Sequence, residues 1–533
     1  MAFAVMEVKT FARGCGHLVL CPGDAASTHM SELRIVSAEK FAELRAHLRE
    51  CGYTAEGAGQ RLGLKPGASL EFVSLASRPP IKPEVRDSLD AILHLFLLGE
   101  SLPSEAVTPF FPSGVWNTMQ ESGLLGPDAE NPARCVASVA LYPIRHLYLV
   151  SDRWTNPDHS VRKMFPDIVY PALTGSAKQF IDFTSYEPCD DFVEVCAGTA
   201  PAALLAAGSA KHTWATDIAE RSLEFAKFNA ALNGISNVVF AKGDLFAPLG
   251  DQKFDRIAAH PPYVPVLKPA EIFYGGGEVG EEITKGIITA LPERLKPGGR
   301  LYCRTLGTER PGETFEQRIR IWLGEKQGEF DVALFAFQTL EPRQFALQET
   351  LNRNGGRDEF YQWERLFERN KVYELLIGVL VIQRHAEERP AFTFRRTMRS
   401  GAPAAAVERI LHWETEMRKE GAAERMLKVR PAAIQGIQLT VHHLLAGSDI
   451  QPQKYTLTIE LPFAMDCNVQ PWMALLVSKC DGKKTISELF ELAKQNEWIV
   501  PETPSEEFLK LVATLIGGGF LEANAVTSPA AAG

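Results

Sequence analysis

Four short stretches of this chain carry residue types suited to holding a nucleoside-like ligand beside a planar partner. They are "EVCAGTA" from Glu194 to Ala200, "HTWATD" ending in Asp217, "GDLF" with Asp244, and the run His260-Pro261-Pro262-Tyr263. Each closes a segment patterned like a β-strand. In an open α/β sheet, ligands bind beyond the carboxyl ends of the strands. A tight turn around Gly198 lets the backbone approach a ligand closely. Asp217, 23 residues after Glu194, can offer two carboxylate oxygens to a ribose diol. Asp244 is placed to accept from an adenine amino group or a similar donor. His260 stands before two prolines, which end a sheet ladder and present the histidine on a stiff turn. Singly, each has an ordinary structural explanation. "EVCAGTA" keeps one of the three glycines of a G-x-G-x-G turn, Asp217 precedes a helix it can cap, and Asp244 suits a turn. Their order on four successive strand ends is the signal.

The elements that must position them read as a doubly wound α/β domain. Candidate strands fall at 191–198, 212–217, 237–244, 254–260, 300–307, 330–337 and 372–385, with helical stretches at 221–234 and 280–296 between them. Strands alternating with helices predict a mostly parallel sheet covered on both faces. Residues 338–371 read as a charged helical insertion before the last strand. Ahead of this domain, short helices are followed by a hairpin formed by 133–143 and 145–152, the order of a winged helix. Behind it come a basic linker, a helix through Trp413 and a strand over 454–463. In the last unit Thr485 and Glu488 form a capping box, Thr503 with Pro504 opens a helix that ends at Gly517–Gly519, and "FLEAN" follows. The organisation expected is a disordered extension over 1–29, with the true start at Met30, and an N-terminal winged-helix-like domain over 30–152. The α/β domain then occupies 153–388, a linker region 389–465, a C-terminal winged-helix-like domain 466–524 and a disordered tail 525–533.

At 533 residues, 45% hydrophobic and 23% charged, the chain is a soluble multidomain protein by composition. It has no run of eighteen apolar residues, which argues against a membrane span. Nine cysteines without a C-x-x-C pair favour a reducing, cytoplasmic setting over disulfides or zinc. His442 and His443, being adjacent, lack the spacing of a metal site, and His94 on an apolar helix reads as a core residue. Winged helices often bind nucleic acid, but residues 30–150 carry 11 Lys/Arg against 14 Asp/Glu, and residues 466–523 carry 5 against 9. Neither is the basic surface that phosphates require. Residues 394–430, with 9 basic against 5 acidic, are the exception, and a solvated linker or internal ion pairing explains them better than RNA. The flanks read instead as modules for a protein partner, a homodimer or substrate gating.

Together these motifs resemble class I S-adenosylmethionine-dependent methyltransferases, of the "methyltransferase small" group that includes release-factor glutamine and rRNA N-methyltransferases. The likeness runs over 167–310, through "EVCAGTAPAALLAA", "ATDIAERSLEFAKFNAALNG", "AKGDLFAPLG", "FDRIAAHPPYVP", "YGGGEVGEEI" and "RLKPGGRLY". It implies a Rossmann-like seven-stranded fold and S-adenosylmethionine as cofactor. By position, Glu194, Cys196, Gly198 and Ala200 fall on the cofactor turn, Asp217 on the ribose, and Asp244 with Leu245 on the adenine. His260, Pro261, Pro262 and Tyr263 fall on the acceptor motif, whose family form begins with Asn or Asp. Two departures stand out. Cys196 and Ala200 replace outer glycines of the turn, which would slightly reshape it without abolishing binding. His260 replaces the amide or carboxylate, and a histidine titrating near neutrality could act as a general base. The expectation is therefore methyl transfer, without metal, to a nitrogen or oxygen of a protein, RNA or small molecule. The competing expectation is a catalytically silent cofactor-binding scaffold.

Overall fold

A computed structural model describes residues 33–65, 70–71, 85–153, 167–268, 273–399, 404–447 and 449–524. The expected extension over 1–29, the start at Met30 and the tail from 525 lie outside the described residues. Contacts divide the chain into two units, Met1–Glu325 with Thr339–Val379, and Lys326–Gln338 with Leu380–Gly533.

The first unit opens with helices α1 (Ala38–Glu50), α2 (Ala55–Arg61), α3 (Ser88–Ile92), α4 (Ser104–Val107) and α5 (Ser113–Glu121). Ser37, Thr54 and Asp87 start the first three by accepting the backbone N–H three residues on. Strands β1 (Leu102–Pro103), β2 (Leu125–Pro127) and β3 (Arg134–Ala137) form an antiparallel sheet in the order β1-β3-β2, while β4 (Ala140–Ile144) and β5 (Leu147–Ser151) form a separate hairpin. The segment 133–143 is thus two strands rather than one arm of a hairpin. The Ser138 N–H bonds the Leu124 carbonyl at 3.1 Å and ends β3 against the first sheet. His94 is buried and bonds Glu100 through Nδ1 at 2.7 Å.

Next come α6 (Gly175–Phe183), β6 (Cys189–Val195), α7 (Pro201–Ala206), β7 (Ala210–Asp217), α8 (Glu220–Asn233), β8 (Val238–Lys242) and β9 (Phe254–Ala259). They are followed by α9 (Glu282–Arg294), β10 (Leu295–Glu309), α10 (Phe315–Trp322), β11 (Phe330–Leu340), α11 (Pro342–Asn352), α12 (Arg357–Arg369), β12 (Glu374–Arg384) and β13 (Thr393–Thr397). The sheet order is β13-β11-β12-β10-β9-β6-β7-β8. All seven expected strands are present. The eighth, β13, lies in the segment read as a basic linker and pairs with β11 in parallel, Val332 opposite Thr393. Phe394 helps to explain this: it packs edge-on against Phe335 of β11 at 5.8 Å. Inside the first unit, α8 meets β5 through two asparagines that mimic a ladder. Asn229 exchanges bonds with Val150 N (2.7 Å) and O (3.1 Å), and Asn233 does so with Tyr148 N (2.9 Å) and O (2.6 Å).

The second unit adds α13 (Ala404–Glu416), α14 (Ala422–Leu427), β14 (Arg430–Ala433), β15 (Gln438–Ala446), β16 (Asp449–Ile459) and β17 (Met465–Val469). It ends with α15 (Pro471–Lys479), α16 (Ile486–Gln495), α17 (Ser505–Gly517) and β18 (Leu521–Asn524). Strand β14 pairs with β18, and β15-β16-β17 form an antiparallel sheet. The sequence reading missed β15, where a bulge falls between His442 and His443. Thr485 and Glu488 form the expected capping box, whereas α17 starts after Pro504 rather than on Thr503. At least five of the nine basic residues in 394–430 are held in ion pairs: Arg399–Glu460, Arg409–Glu522, Arg418–Glu414, Lys419–Glu416 and Arg425–Glu416. Among the described residues, no helix is long and apolar enough to cross a membrane.

Candidate active site

The parallel register puts the ends of β6, β7 and β9 in one row with the middle of β10. Val195 of β6 pairs with Thr216 of β7 and Ala259 of β9, and Ala259 pairs with Cys303 of β10. Cys196, Asp217, His260 and Arg304 follow directly, at the carboxyl edge where ligands bind. Sequence reasoning collected the first three. It missed Arg304, which sits inside "RLYCRTLG" with no spacing signal to separate it from an ordinary strand residue.

On one side lies the turn after β6. It takes the left-handed conformation at alternate residues, with φ of 54° at Cys196, 53° at Gly198 and 57° at Ala200. Cysteine and alanine therefore keep the glycine-type backbone, at about 1–2 kcal/mol each, instead of reshaping the turn. A Cβ built on Gly198 would meet nothing within 4 Å, so open space lies against this backbone. The Ala200 methyl is fully buried and stays out of that space. Glu194, also buried, accepts from Ala203 N at 2.7 Å in the first turn of α7. Burial pushes its carboxyl up to about 8, and the Asp217 charge adds to the effect. Asp217 accepts from Gly198 N through one oxygen and from Ala219 N through the other, both at 2.9 Å. Burial raises its pKa as well. The Ser222 side chain and the Ile218 backbone also bond this carboxylate. Asp244 is exposed beyond β8. Leu245 takes φ 47°, and its carbonyl accepts from Thr216 Oγ1 at 2.8 Å, which ties this segment to the end of β7.

On the other side, the His260 ring packs between two aromatic rings. Phe180 of α6 lies 5.4 Å away at 41°, and Tyr263 stacks at 5.8 Å and 16°. The buried Arg304 guanidinium lies 5.7 Å from the Tyr263 ring centre and donates to the Gly378 carbonyl at 3.1 Å. Burial, then the Arg304 charge, pushes His260 down to about 3. This differs from the expected titration near neutrality, because a cation costs more at a half-buried position packed between rings and with another cation close. Pro261, Pro262 and Tyr263 lead into a loop seated on glycines. A Cβ at Gly276 would lie 2.7 Å from Tyr263 Cα, and one at Gly280 would lie 2.3 Å from the Tyr263 carbonyl. The loop closes at Glu281, which accepts from Thr308 N at 2.7 Å and Arg318 Nη2 at 2.6 Å. The helical insertion acts here too. Phe345, Trp363 and Phe367 form a cluster against which Tyr263 and Val264 pack, and the Tyr274 hydroxyl donates to Glu349 at 2.9 Å. Nothing in the charged sequence of α11–α12 showed that role.

Residues 190–368 match the family described as a methyltransferase domain. A putative protein N5-glutamine methyltransferase of Methanocaldococcus jannaschii is 32% identical over 146 residues, 26% of this chain and 71% of that protein. The chain belongs to the class I S-adenosylmethionine-dependent methyltransferases. The ribosomal protein uL3 glutamine methyltransferase of Bradyrhizobium diazoefficiens is 32% identical over 181 residues, 31% of this chain and 56% of that relative. The release factor glutamine methyltransferase of Geobacter sulfurreducens is 38% identical over 89 residues, 15% of this chain and 31% of that one. The chain thus spans about half the length of the uL3 relative and a third of the release-factor one. The matched segment of this methyltransferase includes α11 and α12 up to residue 368, and leaves out α1–α6 and everything from β12 onward. Its sheet, with β12 between β10 and β11, is the Rossmann-like frame expected from the motifs.

Proposed function

We propose that this methyltransferase acts on the side-chain amide nitrogen of a glutamine in a protein. The observation that carries the reading is the state of His260: a neutral ring, pushed down to about 3, stacked on Tyr263 at the end of β9. A ring in that state is a weak base at neutral pH but a good hydrogen-bond acceptor. An amide N–H donated to it would be oriented as it is by the Asn or Asp of other family members. The three relatives described above are all named as glutamine methyltransferases, which supports a protein acceptor.

S-adenosylmethionine, when bound, supplies an electrophilic methyl on a sulfonium. The turn Cys196–Ala200 would cradle its amino-acid end, Asp217 would accept from its ribose hydroxyls, and Asp244 with Leu245 would meet its adenine. His260 would accept one amide N–H and the Pro261 carbonyl the other, turning the nitrogen lone pair toward the methyl. Tyr263 would pack on the amide plane. The nitrogen pair forms the new N–C bond while the C–S pair stays on sulfur, leaving a neutral thioether. The proton then lost from nitrogen can cross His260 to water, because an N-protonated amide is a stronger acid than an imidazolium of pKa about 3. Orientation of this kind is worth up to about 7–11 kcal/mol. The regions on either side, which we read as winged-helix-like modules, would grip the protein substrate. The test is tritium transfer from labelled cofactor into fractionated lysate, followed by amino-acid analysis. N5-methylglutamine in the protein fraction is expected. Label confined to RNA or small molecules would refute the reading.

A further inference from the structure

The second unit contains a cavity of about 500 Å³ that the methyl-transfer reading does not use. Its walls come from α13, α14, α17, β18 and the Pro462–Phe463 segment after β16. Ile410, Trp413, Met426, Phe463, Ile516 and Leu521 face it, each under a tenth exposed. The volume falls in the range of small-molecule sites, which are mostly apolar with a few placed polar groups. Aliphatic side chains and methionines outnumber the two aromatic rings, so the walls suit a flexible hydrocarbon better than a flat ring.

The charged groups that border it are unevenly matched. Arg409 pairs with Glu522 at 2.8 Å. Arg425 lies 3.7 Å from the Glu416 carboxylate and donates to the Glu420 carbonyl at 2.6 Å and the Glu416 carbonyl at 3.1 Å. Lys428 borders the cavity, is exposed, and has no carboxylate within ion-pair distance among the described residues. Three cations against two carboxylates leave one positive charge beside an apolar hollow. We propose that this cavity binds an aliphatic monocarboxylate of medium chain length, with its hydrocarbon among Ile410, Met426 and Ile516 and its carboxylate at Lys428.

The test titrates the full chain with octanoate, decanoate and dodecanoate by calorimetry, with dodecanol as the uncharged control. Affinity should rise about fourfold for each added methylene. Lys428→Gln should weaken dodecanoate by about three- to tenfold and leave dodecanol unchanged. Ala406→Trp, which fills the cavity, should abolish binding of both. As a check that does not depend on that variant folding, dodecanoate should shift a tryptophan emission component that is missing in Trp413→Phe. Absence of dodecanoate binding by the wild-type chain would overturn the proposal. So would binding that Ala406→Trp leaves intact, or an emission shift that survives Trp413→Phe.

Discussion

If the His260 ring is neutral because of where it sits, His260→Asn should change how stability and activity depend on pH. The folded-state pKa is about 3, against about 6.5 for an unperturbed histidine. Between those values the unfolded chain binds a proton that the folded one does not. Stability is therefore intact above about pH 6.5 and falls as pH drops below it. The slope approaches about 1.4 kcal/mol per pH unit, so at pH 5 the site should cost the wild type about 2 kcal/mol relative to pH 7.5. His260→Asn removes that increment. Urea unfolding of both proteins at pH 7.5 and pH 5 measures it as a difference of differences. Ring NMR tests the cause directly: the His260 signals, identified by their loss in His260→Asn, should show no midpoint between pH 5 and 8. Turnover at saturating cofactor should likewise show no inflection from this group over that range, and His260→Asn should keep more activity than His260→Ala. A ring midpoint near 6.5, with turnover rising through it, would refute the neutral-acceptor argument and restore a general base.

Asp217→Ala should abolish detectable cofactor binding in calorimetry while α8 still folds by circular dichroism, because its carboxylate both braces Gly198 N and faces the open space at the turn. Unchanged affinity would remove Asp217 from the site. Glu194, with a folded pKa of about 8, gives stability that is present below about pH 4.3 and lost as pH rises through 8. Glu194→Gln should therefore be more stable than the wild type at pH 9 by a few kcal/mol and close to it near pH 4, with about 2 kcal/mol of the difference already present at pH 6, as read by thermal unfolding. Glu497 is exposed and left-handed, with φ 56°, just past α16. Glu497→Gly should stabilise the second unit by about 0.5–1 kcal/mol in urea unfolding, since no contact is lost with the side chain.

The strands of the α/β domain were legible because burial on both faces demands continuous apolar runs, and "FDRIAA" or "ELLIGVLVIQR" admit little else. The row of strand ends that we read as the cofactor side was legible for a related reason: the register that aligns Val195, Thr216 and Ala259 follows from strands whose ends are marked by an acid, a turn or a proline. Strands whose partners are distant were harder. β3 and β4 read as one arm because nothing local says that Ser138 bonds Leu124. β13 hid because its one Phe, Phe394, is followed by two arginines, so its charge suggested a linker. β15 is exposed along much of its length and lacks the alternation that a buried face imposes. The electrostatics of His260 could not be read at all. They depend on Phe180, 80 residues earlier, and Arg304, 44 later, brought together only by the sheet.

Arg304 adds a constraint on the acceptor that the histidine alone does not impose. A buried guanidinium this close to Tyr263 raises the cost of adding a further cation beside that ring once the cofactor's own sulfonium is in place. That is the effect which, after burial, keeps the His260 ring neutral. It applies equally to the substrate: a lysine ammonium brought to the methyl would meet the same field and would first have to lose its proton. A neutral amide carries no such penalty and brings the N–H that a neutral imidazole can accept. On the amide reading proposed above, Arg304, which adds to the burial that weakens His260 as a base, would thus also favour amides over amines.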